Sequence, residues 1–173
     1  DSLQHEVVLG KMHQKPLRVE ENHAHARTRY KPISIQDFSS LHKDAKEVSL
    51  QGYLSLTVHL PFEIQHPHRY PHLKKAKDFI TFGQQLKEKF DLKLYWENAP
   101  ELIMGKWSLA HGQTQWQHVP KSIDLCLDLG HLILGEEDKT TARKTILDIV
   151  ASRSKQIKHL HVHEIDLCHD LHR

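Results

Sequence analysis

Glu97, Asp128, His131 and His161 are the side chains whose types and spacing could do chemistry. Anionic oxygens and neutral imidazoles are the donors that hold a divalent ion such as zinc, manganese or magnesium. Each sits at or just after the end of a short run with strand character: Leu94 to Asn98, Ile123 to His131, and Ile157 to Glu164. Asp128 and His131 are separated by two residues, so a strand end and its following turn can present both to one point. Taken singly, Asp128 reads as a cap and His131 as a hydrogen-bonded core histidine. Successive strands ending in ligand residue types, with helix-length connections between them, are how a parallel α/β barrel builds a metal site at one rim.

The elements that must position these groups are legible in the pattern. Leu54 to Leu60 alternates, with Leu54, Leu56, Val58 and Leu60 on one face and Ser55, Thr57 and His59 on the other. Leu92 to Glu97 is the next strand, with Lys93, Tyr95 and Glu97 sharing a face. Ile123 to Asp128 places Ile123, Leu125 and Leu127 opposite Asp124, Cys126 and Asp128. Ile157 to His163 places Leu160 and Val162 opposite His159, His161 and His163. Between them, Phe38 to Leu50 has helical spacing, and Leu73 to Phe90 carries Ala76, Phe79, Ile80, Gly83 and Leu86 on one stripe. Thr140 to Ser152 reads as a helix burying Ala142, Ile146, Ile149 and Val150, with Thr140 or Thr141 as N-cap. Pro61 to His72 reads as a loop, and 101 to 120 as a rim loop with a short helical start. Residues 1 to 45 are least legible before Phe38: Val7 to Leu9 suits a short strand, and Glu20 to Lys31 is polar and rich in histidine.

Strands alternating with helices imply right-handed crossovers and a parallel sheet. An open doubly wound sheet needs two apolar faces, because helices cover both. Here each strand has one aliphatic and one polar face, which predicts a parallel (β/α) TIM-type barrel lined with functional groups. Such barrels usually take about 250 residues, and this chain has 173 with five or six strands. The expectation is therefore one shortened or incomplete barrel domain over residues 1–173. Because the first residue is Asp1 rather than Met, the sequence is expected to be a piece of a longer chain.

Composition narrows the class. A net charge of +2 gives no global field that demands a polyanionic partner. The 17 histidines are scattered rather than clustered as a tag, so many are expected at the surface; His23-Ala24-His25 and His66-Pro67-His68 in particular read as surface histidines on loops. Cys126 and Cys168 are the two cysteines, in no Cys-x-x-Cys pattern, which argues against a disulfide framework and for a reducing, cytoplasmic setting. No run reaches the roughly 18 apolar residues of a membrane span. No glycine-rich phosphate loop, Gly-x-Ser-x-Gly elbow or nucleophilic cysteine context is present.

Tyr95-Trp96-Glu97-Asn98-Ala99-Pro100, the segment Cys126-Leu-Asp-Leu-Gly-His-Leu-Ile-Leu-Gly135, and His159-Leu-His-Val-His-Glu164 resemble the successive strand motifs of the xylose-isomerase-like barrel superfamily. That superfamily holds sugar isomerases and epimerases together with endonuclease-IV-type apurinic endonucleases. The resemblance runs in order from about residue 54 to 172. It implies Glu97, Asp128 and His161 as metal ligands, Glu97 also as a group for proton transfer, and His131 as a catalytic contact to substrate or a second ion. His59, in Thr57-Val-His-Leu-Pro61, resembles an early His-x-Pro position that is an ion ligand in the endonuclease branch, and Asp170-Leu-His172 resembles that branch's Asp-x-His pair. His59, His163, Asp170 and His172 are thus the expected substrate-pocket or second-ion residues. The family's final glutamate ligand has no counterpart before Arg173, and the strand usual between His59 and Glu97 is absent.

Three functions follow as expectations. The first is a divalent-metal-dependent isomerase or epimerase acting on a small sugar or related hydroxy-carbonyl compound. The second is a metal-dependent phosphodiesterase of the endonuclease IV type, for which Arg69, Tyr70, Lys74 and Lys75 would supply rim contacts; a basic run is more often a solvated helix face, so nucleic acid is not favoured. The third is a non-catalytic, barrel-derived protein that binds metal or a partner.

Overall fold

The computed structural model describes residues 23–26, 32–65, 70, 72–99, 116–134 and 138–162, together with the backbone of short strands within 6–8, 101–103, 106–108, 165–166 and 169–170. Six parallel strands form the main sheet: β1 (Glu6–Val8), β2 (His23–His25), β3 (Ser55–His59), β4 (Lys93–Glu97), β7 (Asp124–Asp128) and β8 (Ile157–His161), adjacent in that order. Two antiparallel hairpins branch from it. One pairs β5 (Glu101–Ile103) with β6 (Lys106–Ser108); the other pairs β9 (Ile165–Asp166) with β10 (His169–Asp170). Among the described residues the helices are α1 (Ile35–Leu50), α2 (Phe62–Gln65), α3 (Leu73–Phe90), α4 (Leu129–Ile133) and α5 (Lys139–Arg153).

The sheet is strongly curled. β2 and β8 are four strand steps apart, about 19 Å on a flat sheet. Yet the rings of His23 and His159 are stacked with centroids 4.4 Å apart. Only a sheet bent around its polar face brings those two strands within side-chain reach, so the strands form part of a barrel wall. The polar parity of β2, β3, β4, β7 and β8 lines its inside, and α1, α3 and α5 lie on its outside.

Local chemistry explains the elements. Ser34 and Asp37 form a capping box at the start of α1, where Asp37 Oδ2 accepts from the Ser34 backbone N–H at 2.6 Å and from its hydroxyl at 2.8 Å. The predicted stripe of α3, Ala76, Phe79, Ile80, Gly83 and Leu86, is buried as expected. It packs on the outward Leu94 and Trp96 of β4, and Phe79 meets Phe38 of α1 edge to face at 5.2 Å. α3 stops at Asp91, whose left-handed φ of 50° turns the chain into β4. At the far end, the Arg153 guanidinium donates to the carbonyls of Trp116 and Val119 and to Gln156 Oε1. Gln156 in turn donates to the carbonyls of Pro120 and Ile123, so α5 and the entry to β7 are clamped together.

Several expectations are corrected. His23-Ala24-His25 is not a surface loop: it is β2, buried at all three positions, because pairing with β3 and neighbouring polar rings satisfies what looked like solvent-seeking side chains. Residues 101 to 103 are a hairpin strand and not a helical start. Within the expected loop at 61 to 72 lies the short helix α2. The N-cap of α5 is Asp138 and not Thr140 or Thr141: its carboxylate accepts from the backbone N–H groups of Thr140 and Thr141 at 2.7 and 3.0 Å, because a carboxylate two and three positions earlier reaches both orphan donors. Val150 is not core but 37% exposed. On the outer face of β8, Leu160 is 49% exposed, and the strand ends at His161, leaving Val162 outside it at 74% exposure. Leu54 likewise precedes β3 and is half exposed. His66, His68, Arg69, His163, Cys168 and His172 lie outside the described residues, and of Asp170 only the backbone, in β10, is described.

Candidate metal centre

Glu97 closes β4 on the inner face, with 1% of it exposed. Because β4 is flanked by β3 and then β2 on one side and by β7 and then β8 on the other, its last inward residue faces imidazoles from both directions. His161 Nδ1 lies 2.6 Å from Glu97 Oε1. His25 Nε2 lies 2.5 Å and His59 Nε2 3.0 Å from Glu97 Oε2. One oxygen therefore faces β8, and the other faces β2 and β3.

Asp128 ends β7 and is fully buried. Its Oδ1 caps α4 by accepting the His131 backbone N–H at 2.7 Å, while Oδ2 lies 3.5 Å from His131 Nδ1 and 3.7 Å from His161 Nδ1. Asn98 fixes this arrangement. Its side-chain amide donates to the Asp128 carbonyl at 3.0 Å and accepts from the Asp128 backbone N–H at 2.8 Å, extending the β4–β7 ladder by one rung in place of backbone. The Asn98 carbonyl also accepts from His131 Nδ1 at 3.0 Å, which leaves the lone pair of a neutral ring on Nε2.

The structure brings the buried Glu97, Asp128 and His131 together with the partly buried His161 and His59 in one cluster. It adds His25, which sequence reasoning left at the surface, and Asn98, quoted in a motif without a role. His25 carried one usable signal: His-Ala-His repeats the polar, apolar, polar parity of His159-Leu160-His161.

Electrostatics favour a cationic occupant. Burial opposes ionisation of Glu97, but hydrogen bonds from His161, His25 and His59 together outweigh it and hold the carboxyl well below its usual range. His59 is pushed down by burial, against the pull of Glu97, so it favours the neutral, ligating form. His25 is the sharpest test of fit. Its Nδ1 faces the Ala26 carbonyl at 2.9 Å, an atom that can only accept, so Nδ1 carries hydrogen. Its Nε2 then faces an ionised carboxylate oxygen at 2.5 Å, so a proton lies between them, and it is this proton that a metal ion would replace, with the two groups moving apart to ligand distance. A ring N–H given to a backbone carbonyl, as at His25 Nδ1, is how metal-ligating histidines are oriented so that the other nitrogen serves the ion. Three-donor groups with all ligand atoms within 4.8 Å occur at His25, His59 and Glu97, at Glu97, Cys126 and His161, and at Glu97, Asp128 and His131. The donor set fits a divalent ion.

Among the described residues no helix is long and apolar enough to cross a membrane. No protein-family model and no curated protein matches the chain. Its fold is similar to the crystal structure of a D-tagatose 3-epimerase-like protein, with a TM-score of 0.57 and 16% sequence identity, over 83% of this chain. The chain spans 56% of that protein's length. At this identity the likeness is one of fold: the parallel α/β barrel architecture expected from the strand motifs is the architecture found, in shortened form.

Proposed function

We propose that this chain is a divalent-metal-dependent isomerase or epimerase acting on a small sugar or related hydroxy-carbonyl compound, in a cytoplasmic setting. The supporting observation is Glu97, a buried carboxylate ringed by His25, His59 and His161 at the C-terminal rim of a barrel, with Asp128 and His131 beside it. This is the rim where barrels of this architecture carry their chemistry. Glu97, Asp128 and His161 would hold the ion, with His25 and His59 on the second carboxylate oxygen. An ion held there would supply Lewis acidity toward a substrate carbonyl.

The chain's own groups divide the remaining work. Glu97, held ionised by its histidines, is an anchor of negative charge and accepts a proton only when that environment relaxes. His131 is the better carrier: with Nδ1–H given to the Asn98 carbonyl, Nε2 is the basic nitrogen of its neutral ring, the one that would take a proton from a carbon or hydroxyl beside a carbonyl and return it. Asn98 and the Asp128 cap keep that ring in one orientation. Incubating the metal-loaded chain with a panel of small ketoses and aldoses in D2O tests this, because reversible proton abstraction exchanges a carbon-bound hydrogen for deuterium. Exchange abolished by His131→Gln is expected; no exchange on any substrate by a metal-loaded chain overturns the proposal.

A second reading, a metal-dependent phosphodiesterase, draws on one specific feature: Glu97 meets ring nitrogens at both of its oxygens, so its two sides would each offer a donor set, and ions held there would supply charge stabilisation for in-line displacement at phosphorus. Hydrolysis of bis(p-nitrophenyl) phosphate or nicking of DNA at an abasic site, without deuterium exchange, would place it first.

A further inference from the structure

We propose that His23, His159 and His161 form a second metal site, one step deeper in the barrel than Glu97, which takes zinc or a similar borderline cation. His23 lies two residues before His25 on β2 and His159 two residues before His161 on β8, so these rings point to the same interior nearer the N-terminal ends of the strands. One ligand atom from each of the three lies within 4.8 Å of the others. The His23 and His159 rings stack at 4.4 Å, and the His161 ring stands edge-on to His159 at 5.2 Å.

The surroundings are those of a supported site. His23 Nδ1 is 2.8 Å from Ser55 Oγ and its Nε2 is 2.9 Å from Thr57 Oγ1. Whichever nitrogen turns to an ion, the other can still donate to a hydroxyl, and that outer partner fixes the tautomer and the ring plane. Tyr95 lies parallel to the His159 ring at 5.4 Å and holds its orientation. Both His23 and His159 are buried, at 4% and 8% exposure.

The donor chemistry separates this group from the one above it. Three imidazoles without a carboxylate suit zinc, copper or nickel and are poor ligands for magnesium, whereas Glu97 and Asp128 offer the oxygens a hard ion requires. His161 belongs to both groups, with Nδ1 2.6 Å from Glu97 Oε1. A neutral imidazole has one ring lone pair, so His161 serves both groups at once only as a bridging ring that has lost its N–H proton to solvent.

Calorimetric titration of the chelator-stripped full chain tests the proposal, with zinc added in the presence of a weak competing chelator that keeps it off exposed histidines, and with magnesium added separately. Zinc stoichiometry should exceed that of magnesium. His23→Gln and His159→Gln should each bind about one zinc fewer while taking up magnesium as before, with unchanged far-UV circular dichroism. Two folded variants that bind as much zinc as the unmutated chain would overturn it. Should either variant not fold, the unmutated chain decides: equal stoichiometries for the two ions refute the site. Glu97→Gln, which should abolish magnesium uptake and leave the zinc held by His23 in place, keeps this result separate from that of the proposed enzyme.

Discussion

His25 Nε2 and Glu97 Oε2 meet at 2.5 Å although the residues lie 72 positions apart and on strands separated by β3. Curvature of the sheet, which turns inward side chains of alternate strands toward one another, creates the contact. Replacing His25 with glutamine, which keeps a polar group but cannot reproduce the imidazole's geometry, should weaken divalent-metal affinity by roughly tenfold or more. Competition with a fluorescent chelator measures it, and unchanged affinity would remove His25 from the ligand set.

Asp128→Asn should separate metal binding from folding. Asparagine caps a helix about as well as aspartate, so the bond from the His131 backbone N–H and the start of α4 survive. The anionic charge that an oxygen-ligand site depends on is lost. The melting curve in chelator should stay within about 1 kcal/mol of the unmutated chain, while the rise in melting temperature produced by metal shrinks.

Gly83→Ala should destabilise the fold. A Cβ built there would stand 2.6 Å from Trp96 Cζ2, and Trp96 is fully buried, so its ring or the helix must shift. Overpacking of this kind costs about 1–3 kcal/mol, against a gain of at most about 1 kcal/mol from helix propensity. The clash dominates, so thermal unfolding should show a lower midpoint; a higher one would mean that Trp96 can repack.

Acid should unfold the metal-free chain early, and histidine should be the first cause. His23 is held near 3 in the fold by burial and neighbouring rings, against an ordinary 6.5, so between those values the unfolded chain binds a proton the folded one refuses. Stability therefore falls as pH drops below 6.5, and His59, also depressed, adds with the same sign. Glu97 acts lower: its contribution is full above 4.5 and is lost as pH falls through its depressed folded value. His23→Gln should flatten the pH dependence of the melting temperature between 6.5 and 4.5. An unchanged slope would show that His23 is not a source of the acid sensitivity.

The sequence by itself determined the strand parities, the α3 stripe and the order of the motifs, because alternation and helical spacing are local properties that one segment expresses alone. From them came the parallel barrel and the placing of Glu97, Asp128, His131 and His161 at strand ends. β2 was hidden for a physical reason: His23, Ala24 and His25 are too few and too polar to announce a strand, and they become one only because β3 supplies hydrogen bonds and the barrel interior supplies partners. The same holds for the Asp138 cap, decided by which carboxylate reaches the free N–H groups of Thr140 and Thr141. Curvature is the property no segment carries. It sets how many histidines Glu97 faces, and it stacks His23 on His159 across four strand steps.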